Sequence, residues 1–212
     1  MHYLISLFIG YLFGSIPTAY ILLKKKKGID ITKTGSGNVG AMNSFEVTNS
    51  KLIGLFVLLI DFLKGLLSVY IVSLIYPESF VLPAVALLFA ILSHCFNPWL
   101  KFKGGRGLAT AAGGTSILFP YFLFAWIVLW LIFYFLKKDI LIGNVAANIF
   151  TLFLIANTSE IAIKYSYPQA KSESELMLFV IGGLLIIFIK HIEPLNEIIL
   201  KFKKPGMRND NI

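Results

Sequence analysis

The sequence predicts an all-α polytopic membrane protein, with about seven transmembrane helices and an interfacial helix at the C-terminus. Three observations carry that expectation. Of 212 residues, 57% are apolar and only 14% charged, against roughly 45–50% and 25% in a soluble domain, and the mean hydropathy is +0.80. The apolar residues fall into long runs, and a hydrocarbon core of roughly 30 Å takes about 20 such residues per helix. The basic residues gather between alternate runs, as topology demands of a membrane protein. A water-soluble enzyme and a disordered chain are both excluded. No stretch is left over for a soluble domain, so residues 1–212 read as a single integral membrane domain.

The first run, residues 3–23, is closed by four lysines, Lys24 to Lys27. It has no basic leader and the length of a full span, so it reads as a membrane helix and not as a cleaved signal. A polar, glycine-rich stretch follows to about Lys51. The second run, 52–76, contains Asp61 and Lys64, and the third, 80–100, leads into the basic segment 101–106. Residues 108–136 are too long for one straight span and are interrupted by Gly113, Gly114 and Pro120, which predicts two short, tightly turned helices. Runs at 140–158 and 176–190 complete the set, with a polar loop at 159–175 between them. Beyond His191, the positions Ile192, Leu195, Ile198, Ile199 and Phe202 share one helical face, and Lys201, Lys203 and Lys204 stand near its end. That pattern predicts a helix lying on anionic lipid.

Charge sets the expected orientation. With the N-terminus outside, the inner segments 24–51, 101–106, 137–139 and 190–212 hold six, three, two and five Lys or Arg, sixteen of the nineteen in the chain. The outer loops hold only Lys164 and Lys171. The excess of 19 basic over 11 acidic residues therefore reports topology and attraction to anionic lipid. It does not point to nucleic acid, because no basic stripe alternates with exposed aromatics. The single Cys95 excludes an internal disulfide and a cysteine metal cluster. No metal-ligand cluster, nucleophile elbow or carboxylate pair emerges.

Two inner segments carry the chemistry. In the first, Gly35-Ser36-Gly37-Asn38-Val39-Gly40-Ala41-Met42-Asn43, the glycines permit positive φ and close backbone approach to a ligand. Ser36, Asn38 and Asn43 add hydrogen-bonding groups, although a flexible solvated loop would share this composition. The second, Lys101-Phe102-Lys103-Gly104-Gly105-Arg106-Gly107, opens onto a helix start at Leu108-Ala109-Thr110. Free N–H groups, the positive helix end and cations favour a phosphate there. Arg106 is able to contact it in two places. A basic loop with a glycine turn is the plainer reading. Asp61 and Lys64, three apart within a span, read as a structural ion pair, with a proton relay as the alternative. His94 reads as an interfacial or capping histidine. His191 and Glu193 either face the glycine loops or mark a helix end, which is the structural role expected of Glu193. A phosphate-friendly site on the inner side of a membrane protein suits an enzyme and a transporter alike.

The residues resemble the bacterial acyl-phosphate:glycerol-3-phosphate acyltransferases of the PlsY type. The likeness runs through Gly14-Ser15-Ile16-Pro17, Gly28-Ile29-Asp30-Ile31, the Gly35–Asn43 segment, LLIDFLKG at 58–65, Ser93-His94-Cys95-Phe96, KFKGGRGLAT at 101–110 and His191-Ile192-Glu193. It implies seven membrane helices in a bacterial inner membrane and a cytoplasmic active site. It also implies transfer of an acyl group from acyl phosphate to the 1-hydroxyl of glycerol 3-phosphate, giving lysophosphatidic acid for phospholipid synthesis. No metal or coenzyme is implied. Ser36 and His191 would be catalytic, while Gly35, Gly37, Asn38, Asn43, Lys103, Gly104, Gly105, Arg106, Gly107 and Thr110 would bind substrate. Three departures accompany the likeness. Glu46 stands where the family has arginine, Arg106 where it has lysine, and Ile192 and Pro194 where it has arginine and asparagine. A carboxylate beside a phosphate is unfavourable, so Glu46 predicts weak use of glycerol 3-phosphate. A non-catalytic or transport-type paralogue that binds a phosphorylated lipid precursor is the alternative.

The charge asymmetry yields a direct expectation. Cysteines introduced at 24–27, 101–106 and the C-terminal tail will escape a membrane-impermeant thiol reagent, and those at 159–175 will react. Labelling of position 105 from outside would reverse the topology.

Overall fold

The computed structural model describes residues 1–203, with side chains to Asn196 and at Leu200. Its described residues contain helices and no strand. The first apolar run is two helices and not one: α1 (His2–Gly14) and α2 (Thr18–Lys27) are separated at Ser15-Ile16-Pro17. Pro17 has no N–H for a helical bond, and the residue before a proline is pushed out of the α region. The freed Ser15 carbonyl accepts the Asn97 amide Nδ2–H at 2.8 Å. α2 ends on Lys24 to Lys27 with left-handed Gly28 behind them, so four cations sit at the negative end of the helix dipole.

The stretch expected to be only a polar loop contains a short helix, α3 (Ala41–Thr48). α4 (Lys51–Ile75) and α5 (Val81–Cys95) match their apolar runs, and the Ser50 hydroxyl caps α4 on the Ile53 N–H. Residues 108–136 divide into two helices, α6 (Leu108–Leu118) and α7 (Pro120–Lys137), with the break at Phe119 before Pro120. Gly113 and Gly114 do not interrupt α6, and α7, expected to be short, has the length of a full span. α6, at 11 residues, is about 16 Å long, half the membrane. α8 (Ile140–Asn157), capped by Asp139, is followed by a short α9 (Ser159–Ala162) within the 159–175 loop. α10 (Glu173–Lys203) runs on through Pro194. The tail is thus a continuation of the last span up to Lys203, where a separate interfacial helix was expected. The side chains of Ile198, Ile199, Lys201, Phe202 and Lys203, and all of Lys204, lie outside the described residues. Six segments among the described residues are long and apolar enough to cross a membrane, α1 with α2 counting as one, and α6 is a seventh, shorter apolar helix.

Helices in lipid gain little from burying apolar surface against one another, so they pack where small residues let backbones meet. α1 lies on α5 through Gly10 and Gly14. A Cβ at Gly10 would fall 1.9 Å from the Ala86 carbonyl oxygen, and one at Gly14 would fall 2.1 Å from that of Ala90. α4 meets α6 in the same way at Gly65 and Gly113, each of which would strike a carbonyl at 1.8 Å. These glycines are packing devices that hydropathy does not reveal.

The bundle has two unlike ends. At one, His2 meets the Tyr76 hydroxyl at 3.0 Å, and the 159–175 loop reaches into the bundle, its Tyr167 N–H donating to the Leu118 carbonyl at 2.8 Å. At the other, the glycine segments, the start of α8 and the Lys190 turn of α10 come together, with Lys103, Arg106 and Lys190 among the lining residues.

Substituting Gly14 by valine will force α1 away from α5. Overpacking costs about 1–3 kcal/mol and often more where backbone is the obstacle. Thermal unfolding in detergent should show a marked loss of stability, whereas Gly28→Ala, with open space around its Cα, should show only the smaller cost of its positive φ.

Candidate active site

The first glycine segment is organised from within. Asp30 Oδ1 accepts from the Thr32 hydroxyl at 2.7 Å and the Thr32 N–H at 3.1 Å, forming the turn that precedes it. The Thr32 hydroxyl bond holds the Asp30 carboxyl below its ordinary range, and Lys33 and Lys24 act in the same sense. Asn43, buried on α3, braces the rest. Its Oδ1 accepts the Ser36 N–H at 3.0 Å, and its Nδ2 donates to the carbonyls of Asn38 at 2.9 Å and Thr34 at 3.1 Å. Asn43 was expected to bind substrate. Its amide is consumed in shaping the loop, and it presents Ser36 and Asn38 instead.

The second segment is moulded onto the end of α5. The Gly105 N–H donates to the His94 carbonyl at 3.1 Å, and the Val39 N–H donates to the Gly104 carbonyl at 3.1 Å, which ties the two segments together. A Cβ at Gly104 would lie 2.2 Å from the His94 carbonyl oxygen, and one at Gly105 would lie 2.1 Å from His94 Nε2. Gly107 caps α6 at φ +83°. These glycines were read as making room for a phosphate. The structure uses Gly104 and Gly105 first to seat the loop on α5, and only Gly104 of the two lines a cleft. Before them, Lys101 and Phe102 take positive φ values of 53° and 61°. Asn97 and Leu100 hold this turn through their carbonyls, and it carries Lys103 forward.

Two adjoining clefts result. A polar one of about 280 Å³ is lined by Thr32, Ser36, Gly37, Asn38, Phe102, Lys103, Gly104, Arg106, Lys190, Glu193 and Pro194. A second, of about 340 Å³, is mainly apolar, with Met42, Leu58, Leu108, Trp126, Trp130 and Ile140 in its wall beside Asp61, His94, Asn144 and Gly107. Asn38 and Arg106 line both. A groove of about 420 Å³ shares Ala41, Met42 and Leu58 with the apolar cleft and continues along α4 past Leu55, which is exposed on the helix surface.

Several expected residues are placed elsewhere. His191, expected to be catalytic, is fully buried. Its Nδ1 donates to the Ile187 carbonyl at 2.8 Å, and Nε2 lies 3.3 Å from Asn144 Nδ2. With both ring nitrogens engaged, it joins α10 to α8 and lines neither cleft. Thr110 is buried in the α4–α6 seam and lines neither cleft. Gly35 packs on Asn43 Oδ1. Glu193, expected to mark a helix end, stands in the polar wall. Glu46 is exposed on α3 and lines neither cleft, so the repulsion expected of it does not arise at this site. Asp61 and Lys64 form the expected ion pair, at 2.6 Å and buried on both sides, with His94 Nδ1 3.9 Å from Asp61 Oδ1. Lys190 and Thr32 were not singled out by sequence. A lysine closing an apolar run carries only the ordinary signature of topology.

A family model described as glycerol-3-phosphate acyltransferase matches residues 4–201. The chain is 39% identical to glycerol-3-phosphate acyltransferase 2 of Moorella thermoacetica over 153 residues, 72% of this chain and 77% of that protein. It is 34% identical to the glycerol-3-phosphate acyltransferase of Bartonella henselae over 208 residues, 95% of this chain and 90% of that one. The crystal structure of PlsY (YgiH), an integral membrane glycerol 3-phosphate acyltransferase in its glycerol 3-phosphate form, superposes with a TM-score of 0.78 at 26% identity, covering 94% of this chain and 93% of that chain.

The buried pair yields its own expectation. Asp61→Ala strands the Lys64 ammonium, at a cost of about 3–5 kcal/mol. The double substitution Asp61→Leu with Lys64→Met removes both charges and should recover most of that loss in thermal unfolding. Equal destabilisation by the single and double variants would show that the pair contributes through something other than mutual neutralisation.

Proposed function

Since the chain belongs to the glycerol-3-phosphate acyltransferase family, we propose that its two clefts divide the substrates of one acyl transfer. The acyl phosphate lays its chain in the apolar cleft, the glycerol 3-phosphate occupies the polar one, and the reacting ends meet at the wall the clefts share. The product is lysophosphatidic acid, for phospholipid biosynthesis. The observation that carries this reading is the adjacency of a polar, cationic cleft and an apolar one across Asn38 and Arg106. The groove past Leu55 offers an alkyl chain a way in from the lipid.

The chemistry asks mainly for positioning and charge. An acyl phosphate is a mixed anhydride. The acceptor's 1-hydroxyl forms the new C–O bond to the carbonyl carbon, the bond from that carbon to the phosphate oxygen breaks, and the phosphate keeps the electron pair and takes up the hydroxyl's proton. Such a leaving group lessens the need for a strong protein base. Arg106 and the first N–H groups of α6, at the shared wall, stabilise the negative charge of the departing phosphate. Ser36 and Asn38 orient the acceptor through hydrogen bonds. Lys103 adds charge at the mouth, and His191 and Asn43 act as positioning residues. The sixteen-to-two charge asymmetry supports a cytoplasmic position for this end of the bundle, with the N-terminus outside a bacterial inner membrane and anionic lipid around the basic segments.

An assay in membranes with acyl phosphate as donor tests the reading by comparing glycerol 3-phosphate with glycerol. Glycerol 3-phosphate should be used far better, and Arg106→Ala should cost about 1.5–3 kcal/mol in kcat/KM, as for a charge-assisted contact. Glu46→Gln should leave KM for glycerol 3-phosphate within about twofold, because an exposed charge outside the cleft contributes little. Equal use of the two acceptors would reject the division of substrates, and a Glu46→Gln effect above tenfold would return that carboxylate to the site.

A further inference from the structure

We infer that Lys190 binds the phosphate of the acceptor and sets the preference for a phosphorylated over a neutral polyol. The inference rests on the reading of the polar cleft as the acceptor's compartment. Three cations line that cleft, and they differ in position. Arg106 also lines the apolar cleft, and Lys103 is exposed at the loop surface. Lys190 lines the polar cleft alone and is half-buried on α10. A charge partly withdrawn from water acts more strongly on a bound anion than one at the surface.

Its surroundings leave that charge available. The Lys190 ammonium sits 5.0 Å from the centroid of the Phe96 ring. A cation–π contact holds an ammonium in place without neutralising it. Glu193 lies one turn further along the same helix, in the same cleft, yet among the described residues no carboxylate comes within 4.0 Å of Lys190. Among the described residues neither group has an ion-pair partner, and the two offer a cation and a carboxylate to one ligand. A molecule with a phosphate at one end and hydroxyls at the other satisfies both, since a carboxylate accepts from hydroxyls and repels a second anion. Because Lys190 is absent from the wall of the apolar cleft, its effect falls on the acceptor and spares the acyl donor.

The test compares wild type, Lys190→Gln and Lys190→Arg at equal membrane abundance, with each substrate varied in turn. Lys190→Gln should raise KM for glycerol 3-phosphate at least about tenfold, as for loss of a charged hydrogen bond. It should change KM for acyl phosphate and kcat by less than about threefold, and lower the rate with glycerol far less than the kcat/KM for glycerol 3-phosphate. Lys190→Arg should restore most of the affinity, which a merely structural role for the lysine stem would also need to explain through thermal unfolding. An unchanged KM for glycerol 3-phosphate, or an equal rise for both substrates, would overturn the assignment. An inactive wild type would count against the acyl-transfer reading itself. Calorimetric binding of glycerol 3-phosphate to the detergent-solubilised protein then reads Lys190 alone, and an equal Kd in wild type and Lys190→Gln would overturn its role.

Discussion

The C-terminal end of α5 is the anchor on which the site depends. Its His94 carbonyl receives the Gly105 N–H, its last carbonyls lie where any side chain at Gly104 would intrude, and Asn97 just beyond it holds the broken first span at Ser15. The Val39 N–H then finds the Gly104 carbonyl. Through that sequence of backbone contacts, two polar segments some sixty residues apart become one surface. The two backbone bonds, Gly105 to His94 and Val39 to Gly104, need no particular side chain on the loops. They need the absence of one, which is why glycine stands at 104 and 105. The positive φ of Gly107 is a separate requirement, set by the chain's entry into α6.

The same economy governs the membrane-embedded part. Backbone meets backbone at Gly10, Gly14, Gly65 and Gly113, and these close crossings fix how α1, α5, α4 and α6 stack. Polar groups buried between the helices are largely paired with one another. Asp61 meets Lys64, Trp126 Nε1 donates to Asn148 Oδ1 at 2.8 Å, and His191 lies between Ile187 and Asn144. In lipid no water stands ready to replace a lost partner, so the two pairings that join helices, Trp126 with Asn148 and His191 with Asn144, also specify register. His191 thereby couples the first turns of α8 to the turn of α10 that carries Lys190 and Glu193.

Much of this was legible in the sequence, for physical reasons that also mark where legibility ends. Spans are visible because lipid demands long apolar runs, and 108–136 divides in two because Pro120 forces a break at Phe119. Gly113 and Gly114 lie inside α6 and serve its packing. The split of α1 from α2 was missed, although Pro17 is a local signal of the same kind, because the run around it is evenly apolar. Glycine identity reveals that space is needed but not what fills it, so Gly105 was taken for a ligand contact when a histidine ring occupies that space. An asparagine amide satisfies backbone as readily as substrate, and Asn43 does the former. Whether a charge faces a site depends on helical phase and packing together. A motif comparison alone therefore placed Glu46 at the phosphate, while α3 turns it to the outside. Lys190 escaped notice for the complementary reason: its residue type is the one expected at any cytoplasmic helix end.

Arranging one cleft as apolar and the next as cationic has a consequence for the acyl transfer itself. The donor is an amphiphile and enters from lipid, whereas the acceptor is a small anion and enters from water. Neither route suits the other molecule, so each compartment excludes the wrong occupant before any specific contact forms. The phosphates, however, must approach one another, and two anions within a few ångströms repel strongly wherever water is scarce. Cations at the shared wall offset that repulsion only if they act between the substrates, as Arg106 is placed to do by lining both clefts. In the proposed division, Lys190 on α10 and Lys103 on the 101–103 turn, which line the polar cleft alone, would draw the acceptor's phosphate away from the donor's and leave its hydroxyl end directed at the junction. On that reading charge distribution across the cleft, more than any single acid or base, orients the acceptor for attack.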